Sequence, residues 1–512
     1  MDELKDIARL LKKKNFKGLK TFFDTSSNES KSLKLFKGIM EDRYQTDRQA
    51  SVDIFDENPP KTRFRVLKSK VKEQMLDTVL MLDISFESSD RLKATYNCEK
   101  DLFLSKMFMK NGCYEIGYDI LKNNIEIAKE YKMTDIVLSS LRFLADYYLL
   151  KGDEKSMQTT HEEISFFKKV YSAELLSMEY AYRINIKFVN SKTIKPYLVE
   201  EANEYVQEIT QLMKTFKKYD SLTLQKNLFK LKSSVYEVGG DFKGAVNVYT
   251  QAENYFLKHK NIISPFLISS FSLNKLLCFV YLQDYKNGNF LAEQIATILD
   301  KRSVNYLFYL NHYFLLALQT GQLEQSLKIL NKIETHKRFN ALQFEKEIFI
   351  LFKCYLIFSL LTDKNKKLVN EGNKLREKFK VETEIDKLKF LKLDKKGLNV
   401  AIHFVKLLFN LIDGSSKSGK SMEDELTNKI KNLKQYTFRY LVKNDYYRMD
   451  CFIKMLNIAY QNDFDVPKIK VKSQSYLKKL KEYRTTTSNS FYNWEIINYE
   501  ILWEKILELL EK

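Results

Sequence analysis

The 512-residue chain reads as all-α, an α-solenoid of paired helices with a helical cap at each end. Three observations predict this class. Glycine and proline number only 14 and 5, far below the usual shares of about 7% and 5%, so the chain lacks the turn residues that a sandwich or barrel demands. Aromatic residues are abundant instead, with 36 Phe and 31 Tyr, which suits long helices whose seams are filled by rings. Similar breaks also recur at intervals of about 40 residues, the length of two helices with their turns.

At the amino end, MDELKDIARLLKKKNF is charged from its second residue and has no apolar run before a small-residue cleavage site, so a secretory leader is not expected. Residues 1–23 suggest two short helices, and SSNESKS at 26–32 is a polar break. A second break, DENPPK at 56–61, precedes the heptad-like RFRVLKSKVKEQMLDTVLMLDISF. Residues 1–94 are therefore expected to form a helical cap or accessory bundle.

Residues 95–380 carry the repeats. The clearest copy is LTLQKNLFKLKSSVYEVGGDFKGAVNVYTQAENYF at 222–256, with its break at Gly240. Comparable breaks fall at Gly112, Gly152, Gln283, Gly321 and Thr362, and the 88-residue gap between Gly152 and Gly240 leaves room for one further unit around 175–213. Four residues before each break stand Phe108, Tyr148, Tyr236, Phe279, Ala317 and Phe358, a column of rings expected to fill the seam of each pair. Five residues after it stand Gly117, Met157, Ala245, Gly288, Ser326 and Lys367, mostly small, as close helix approach requires. Seven residues before it stand Ser105, Ala145 and Ser233, then the larger Leu276, Phe314 and Tyr355.

With Ser233, Tyr236, Gly240, Ala245, Tyr249 and Ala252 in register, the chain resembles a tetratricopeptide-type (TPR-like) helical repeat protein. Its units are longer than that family's usual repeat, and the terminal proline is missing. The resemblance implies a right-handed superhelix whose inner helices line a concave groove. It would place Arg142, Asp146, Asn227, Lys230 and Asn311 near that groove, although a solvated helix face would carry the same residue types.

Beyond 380 the repeat fades, and residues 381–512 are expected to form a helical C-terminal cap, since terminal units must cover an apolar end. NVAIHFVKLLFNLI, EDELTNKIKNLKQYTFRYLV, YYRMDCFIKMLNIAY and YEILWEKILELLEK all read as helices. Between the last two lies the most basic segment, with Lys468, Lys470, Lys472, Lys478, Lys479, Lys481 and Arg484, and Lys434, Arg439, Lys443 and Arg448 precede it among aromatic rings. Such residues could meet phosphates and stack on bases. Amphipathic helices with buried rings and snorkelling lysines have the same spacing.

Motifs for chemistry are sparse. Gly414-Ser-Ser-Lys-Ser-Gly419-Lys420-Ser421 satisfies the GxxxxGK[ST] phosphate-loop pattern, but it follows a helical stretch where that loop needs a strand, so a linker is the expected reading. The histidines His161, His259, His312, His336 and His403 are dispersed, and Cys98, Cys113, Cys278, Cys354 and Cys451 have neither CxxC spacing nor an even count. No metal, cofactor or catalytic residue is assigned. The most apolar stretch, IFILFKCYLIFSLL at 348–361, is interrupted by Lys353 and falls short of a bilayer span, so it reads as a buried helix rather than a membrane insertion. The formal charge of +19 attracts anions weakly when spread over so long a chain. The expected function is that of a cytoplasmic, non-catalytic protein- or peptide-binding scaffold. The alternative is a nucleic-acid-associated regulator using the basic C-terminal region, and an enzyme whose site is invisible in linear motifs stands third.

Overall fold

A computed structural model describes residues 1–13, 30–80, 90–191, 196–339, 342–389, 398–414, 427–435, 447–482 and 495–511. Among them every regular element is a helix and no strand occurs. The chain divides into two compact units, Met1–Tyr131 and Lys132–Lys512.

In the first unit, helices α1 (Asp2–Lys13), α2 (Lys31–Met40), α3 (Asp47–Phe55) and α4 (Thr62–Leu80) enclose a small core around Leu4, Leu35, Phe36, Phe64 and Met75. Local signals set their ends. Ser30 accepts from the Leu33 amide at 3.2 Å, so α2 begins inside the expected SSNESKS break. Thr46 and Gln49 form a reciprocal capping box that starts α3. Helices α5 (Asp90–Lys110) and α6 (Tyr114–Glu130) complete the unit as an antiparallel pair.

The second unit continues the pairing with α7 (Thr134–Lys151), α8 (Glu154–Ser191), α9 (Pro196–Lys214), α10 (Leu222–Val238), α11 (Phe242–Lys258), α12 (Pro265–Leu282), α13 (Tyr285–Ile298), α14 (Val304–Gln319), α15 (Leu323–Glu334), α16 (Gln343–Leu361) and α17 (Lys366–Lys378). Consecutive helices touch, and alternate ones also pack directly, α8 on α10, α12 on α14 and α14 on α16. That is the contact pattern of stacked helix pairs, each burying a face its neighbour supplies. Then follow α18 (Val381–Asp386), α19 (Leu398–Gly414), α20 (residues 427–435), α21 (Tyr447–Gln461), α22 (Val466–Glu482) and α23 (Tyr499–Leu510).

The breaks read from sequence share one geometry. At five of the six, the amide after the break (Cys113, Asp153, Asp241, Asp284, Gln322) donates to the carbonyl five residues back (Phe108, Tyr148, Tyr236, Phe279, Ala317) at 2.8 to 3.1 Å. This closes each helix in the Schellman manner, with a left-handed residue at the break. Gly240 takes φ +74° freely, and Gln283 holds the same place at φ +54°. The aspartate that follows then caps the next helix, Asp241 accepting from Gly244 N at 2.9 Å and Asp284 from Asn287 N at 3.1 Å. Thr362 departs from this plan with φ −100°, and α17 starts only at Lys366.

Three expectations change. The ring column does not fill the seam uniformly: Phe279, Ala317 and Phe358 are buried, but Tyr236 is 39% exposed and lies over Gly244. The uniformly buried position is seven before the break, where Ser105, Ala145, Ser233, Leu276, Phe314 and Tyr355 all lie inside. The small-residue position holds at Gly288, where an added Cβ would collide with Leu316 and press on Phe279. Lys367 instead points outward, because the longer turn before α17 moves the close approach one turn on, to Gly372. Within the 88-residue gap, α8 runs unbroken for 38 residues and α9 follows before α10 begins. The 38 residues of α8 pack first on α7 and then on α9 and α10, serving as the second helix of one pair and the first of the next.

The apolar stretch at 348–361 lies in α16 and is buried, with Leu351, Phe352, Tyr355 and Phe358 among its core residues. One described helix, Pro265–Leu282, is long and apolar enough to cross a membrane by length and composition, and 44% of it is buried within the chain.

Candidate functional site

Helix carboxyl ends leave carbonyls without intrahelical donors, and the dipole makes those ends negative. In the second unit, residues 495–510 return across three such ends. Gln283, just past α12, donates to Asn498 Oδ1 at 2.9 Å, and Gln319 in α14 donates to the Glu495 carbonyl at 3.1 Å. Past α16, Lys505 Nζ reaches Thr362 Oγ1 at 2.8 Å and the Ser359 carbonyl at 3.5 Å, and burial lowers the pKa of its ammonium. Ile496, Ile497, Tyr499, Leu502, Trp503 and Ile506 are buried in one core that begins at Leu276.

A buried arginine anchors this return. Arg448 in α21 donates to Glu495 at 2.9 and 2.6 Å, to Glu500 at 2.7 Å, and to the Leu480 carbonyl at the end of α22. Burial opposes its charge, but the two carboxylates outweigh that and raise its pKa. Sequence reading placed Arg448 with the basic surface; here it is a structural cation, and only the distant Glu495 and Glu500 reveal why.

Above this anchor opens a cleft of about 510 Å³ between the Gly240 turn, the end of α12 and helices α22 and α23. Phe242 and Tyr281 stack at 4.4 Å on its array side, and Leu282, Leu480 and Ile501 extend the apolar lining. Two lysines, Lys243 and Lys481, also line it, and among the described residues neither has a carboxylate partner. The cleft's own carboxylates are engaged elsewhere, Asp241 in capping α11 and Glu500 in holding Arg448. The arrangement can take an apolar side chain against the rings and an anionic group beside the lysines.

Other polar groups are spent on packing. Glu174 in α8 accepts from Thr134 Oγ1 at 2.6 Å and from Ser221 Oγ, the starts of α7 and α10, placing a carboxylate at two helix amino ends. Glu237 accepts from Tyr249 at 2.5 Å near Cys278, and burial pushes its carboxyl up to about 7. His312 is buried, which pushes its imidazole down to about 4, with a bond to the Leu273 backbone working the other way. His161, His259, His336 and His403 lie on separate helices or turns. All five cysteines are free, and Cys113 alone is exposed. Among the described residues no group of three or more His, Cys, Asp or Glu could hold a metal ion.

The groove residues separate. Arg142 and Asp146 are exposed one turn apart on α7, and Lys230 is exposed on α10. Asn227 lies inside, donating to Ser177 Oγ at 3.0 Å, and Asn311 is buried in α14, so neither lines a surface. In the basic segment, Lys468 pairs with Asp465 at 2.8 Å, Lys470 with Glu511 at 2.5 Å and Lys478 with Glu482 at 3.7 Å. Lys472 donates to Asn462 at 2.6 Å and Lys479 sits 5.2 Å over the Tyr476 ring. Of this set only Lys481 lines the cleft. Arg484, Arg439, Lys443 and the 415–421 part of the phosphate-loop pattern lie outside the described residues, although the helix running into Gly414 is described. Lys243 was missed because its partner across the cleft is more than 200 residues away; the Gly-Asp turn beside it was the available signal.

Comparison with protein-family models, with curated proteins and with solved structures finds no match to this chain.

Proposed function

We propose that the chain is a non-catalytic protein- or peptide-binding scaffold of tetratricopeptide type, its helix pairs turning in a right-handed superhelix, and that it works in the cytoplasm. The observation that carries this reading is the cleft beside Gly240: its size lies within the usual range of about 300–1,000 Å³ for binding pockets, it is lined by stacked rings, and it carries Lys243 and Lys481 without carboxylate partners among the described residues. An extended peptide bearing an aliphatic or aromatic side chain next to a carboxylate matches that lining. Binding would draw on ring burial for affinity and on the lysines for register.

The nucleic-acid reading draws less support, because Lys468, Lys470 and Lys478 already face carboxylates of the same chain. The test is selection of peptides on the purified full chain at moderate salt after nuclease treatment. Acidic-apolar peptides should be enriched, and the double variant Lys243→Glu, Lys481→Glu should lose them by at least about tenfold. Retention of nucleic acid alone, at low salt only, would sink the scaffold reading.

A further inference from the structure

The second half of α8 presents an apolar stripe to solvent. Leu175, Met178, Tyr182 and Ile186, spaced three, four and four residues apart, are between 37% and 65% exposed, whereas Ala173, Ala181 and Ile184 on the opposite face are buried against α9 and α10. This spacing keeps the four side chains on one strip of a helix. Large apolar side chains scattered singly need no account, but a contiguous row marks an interaction surface.

The row is self-complementary. Reflected about a point between Tyr180 and Ala181, Leu175 falls on Ile186 and Met178 falls beside Tyr182. Along one edge of the stripe run Glu179 and Arg183, and the same reflection brings Glu179 level with Tyr182, one residue from Arg183. Glu179 and Arg183 form an exposed intrahelical pair at 2.5 Å, with side chains 52% and 55% exposed, so both retain free surface toward a partner. When two helices pack antiparallel about a two-fold axis perpendicular to them, equivalent edges meet on the same side, and residues equally far from the axis face each other. Glu179 of each copy then comes within one residue of Arg183 of the other, an offset of about 1.5 Å along the helix that these long side chains span, closing a ring of four alternating charges beside a seam of eight apolar side chains.

We infer that this face of α8 binds a second copy of the chain in an antiparallel, two-fold arrangement centred near residues 180 and 181. The occupant is a second copy because the charge pattern is matched, to within one residue, by its own reverse. A foreign helix would have to reproduce both the apolar spacing and the reversed charge order.

The experiment is sedimentation equilibrium of the full chain. Wild type should self-associate at about 100 μM or below. Glu179→Arg leaves two arginines on each edge and Arg183→Glu leaves two glutamates, so each variant alone should associate at least about tenfold more weakly. An equimolar mixture of the two should recover association as a heterodimer, a result that misfolded chains would not give. Ile186→Asp should abolish association without altering the urea midpoint. A wild-type chain that stays monomeric at that concentration, or two charge variants that fail to rescue each other on mixing, overturns the proposal. Peptide selection at the Gly240 cleft reads a separate surface and is indifferent to this outcome.

Discussion

Helices α7 and α8 carry Leu149, Leu150, Tyr182 and Ile186 on open surface, whereas in α14 every residue from Tyr309 to Gln319 is buried. Both regions belong to the same unit and follow the same pair plan. What differs is what lies over them. The ends of α12, α14 and α16 are crossed by residues 495–510, held down by Arg448 and Lys505, and α19 packs on α16 as well. Near α8 no returning segment plays that part among the described residues. Repeat units of one design thus become core or interface according to whether a later part of the chain comes back to cover them.

Removing the anchor should break this difference most sharply. Arg448→Met strands Glu495, which lies inside the core, and should cost about 3–5 kcal/mol in urea denaturation. Hydrogen exchange should rise first over residues 495–510 and α12–α16. If α7 and α8 open to the same degree, the two regions are a single cooperative block and the contrast is one of surface only.

A smaller effect concerns acidity. The Glu237 carboxyl holds its proton up to about 7 in the folded chain against 4.5 in the unfolded one, so its stabilising contribution is complete below pH 4.5 and is lost as pH rises through 7. A shift of that size is worth at most about 3 to 4 kcal/mol. Glu237→Gln keeps an acceptor for Tyr249 and should flatten the decline between pH 5 and 8. His312 acts in the opposite direction, losing stability as pH falls from 6.5 towards about 4, so the difference between wild type and variant isolates the glutamate. A variant that keeps the wild-type slope would remove Glu237 from the account.

The smallest effect should be indifferent to the covering segment. Gly152 and Gly321 both sit at left-handed breaks, and a Cβ added to either meets nothing within 4 Å. Alanine at each should cost about 1–2 kcal/mol, equally in the open and covered regions, by thermal or urea unfolding. Unequal costs would show that the covering segment also constrains the turns.

Much of the fold was legible because it is local. The breaks at Gly112, Gly152, Gly240, Gln283 and Gly321 are read from a few adjacent residues, and the Schellman bond from the residue after the break to the carbonyl four before the break involves nothing further away. Misreadings arise where tertiary packing intervenes. Thr362 resembled the other breaks in apolar pattern but not in turn chemistry, which displaced the close approach from Lys367 to Gly372. Asn227 and Asn311 looked like surface polar residues until neighbouring helices enclosed them. The cleft was beyond linear reading, since Lys243 and Lys481 come from opposite ends of the unit.

Composition and spacing alone were enough for the helical class, the pair length and the turn geometry, because helix periodicity and capping act over fewer than ten residues. Only the tertiary structure decided which face each helix buries, that Arg448 is an internal anchor rather than a surface cation, and that the carboxyl-terminal segment closes half of the array and leaves the outer face of α8 open. Those outcomes depend on contacts across tens to hundreds of residues, where apolar burial and the desolvation of charge are settled by what happens to lie opposite.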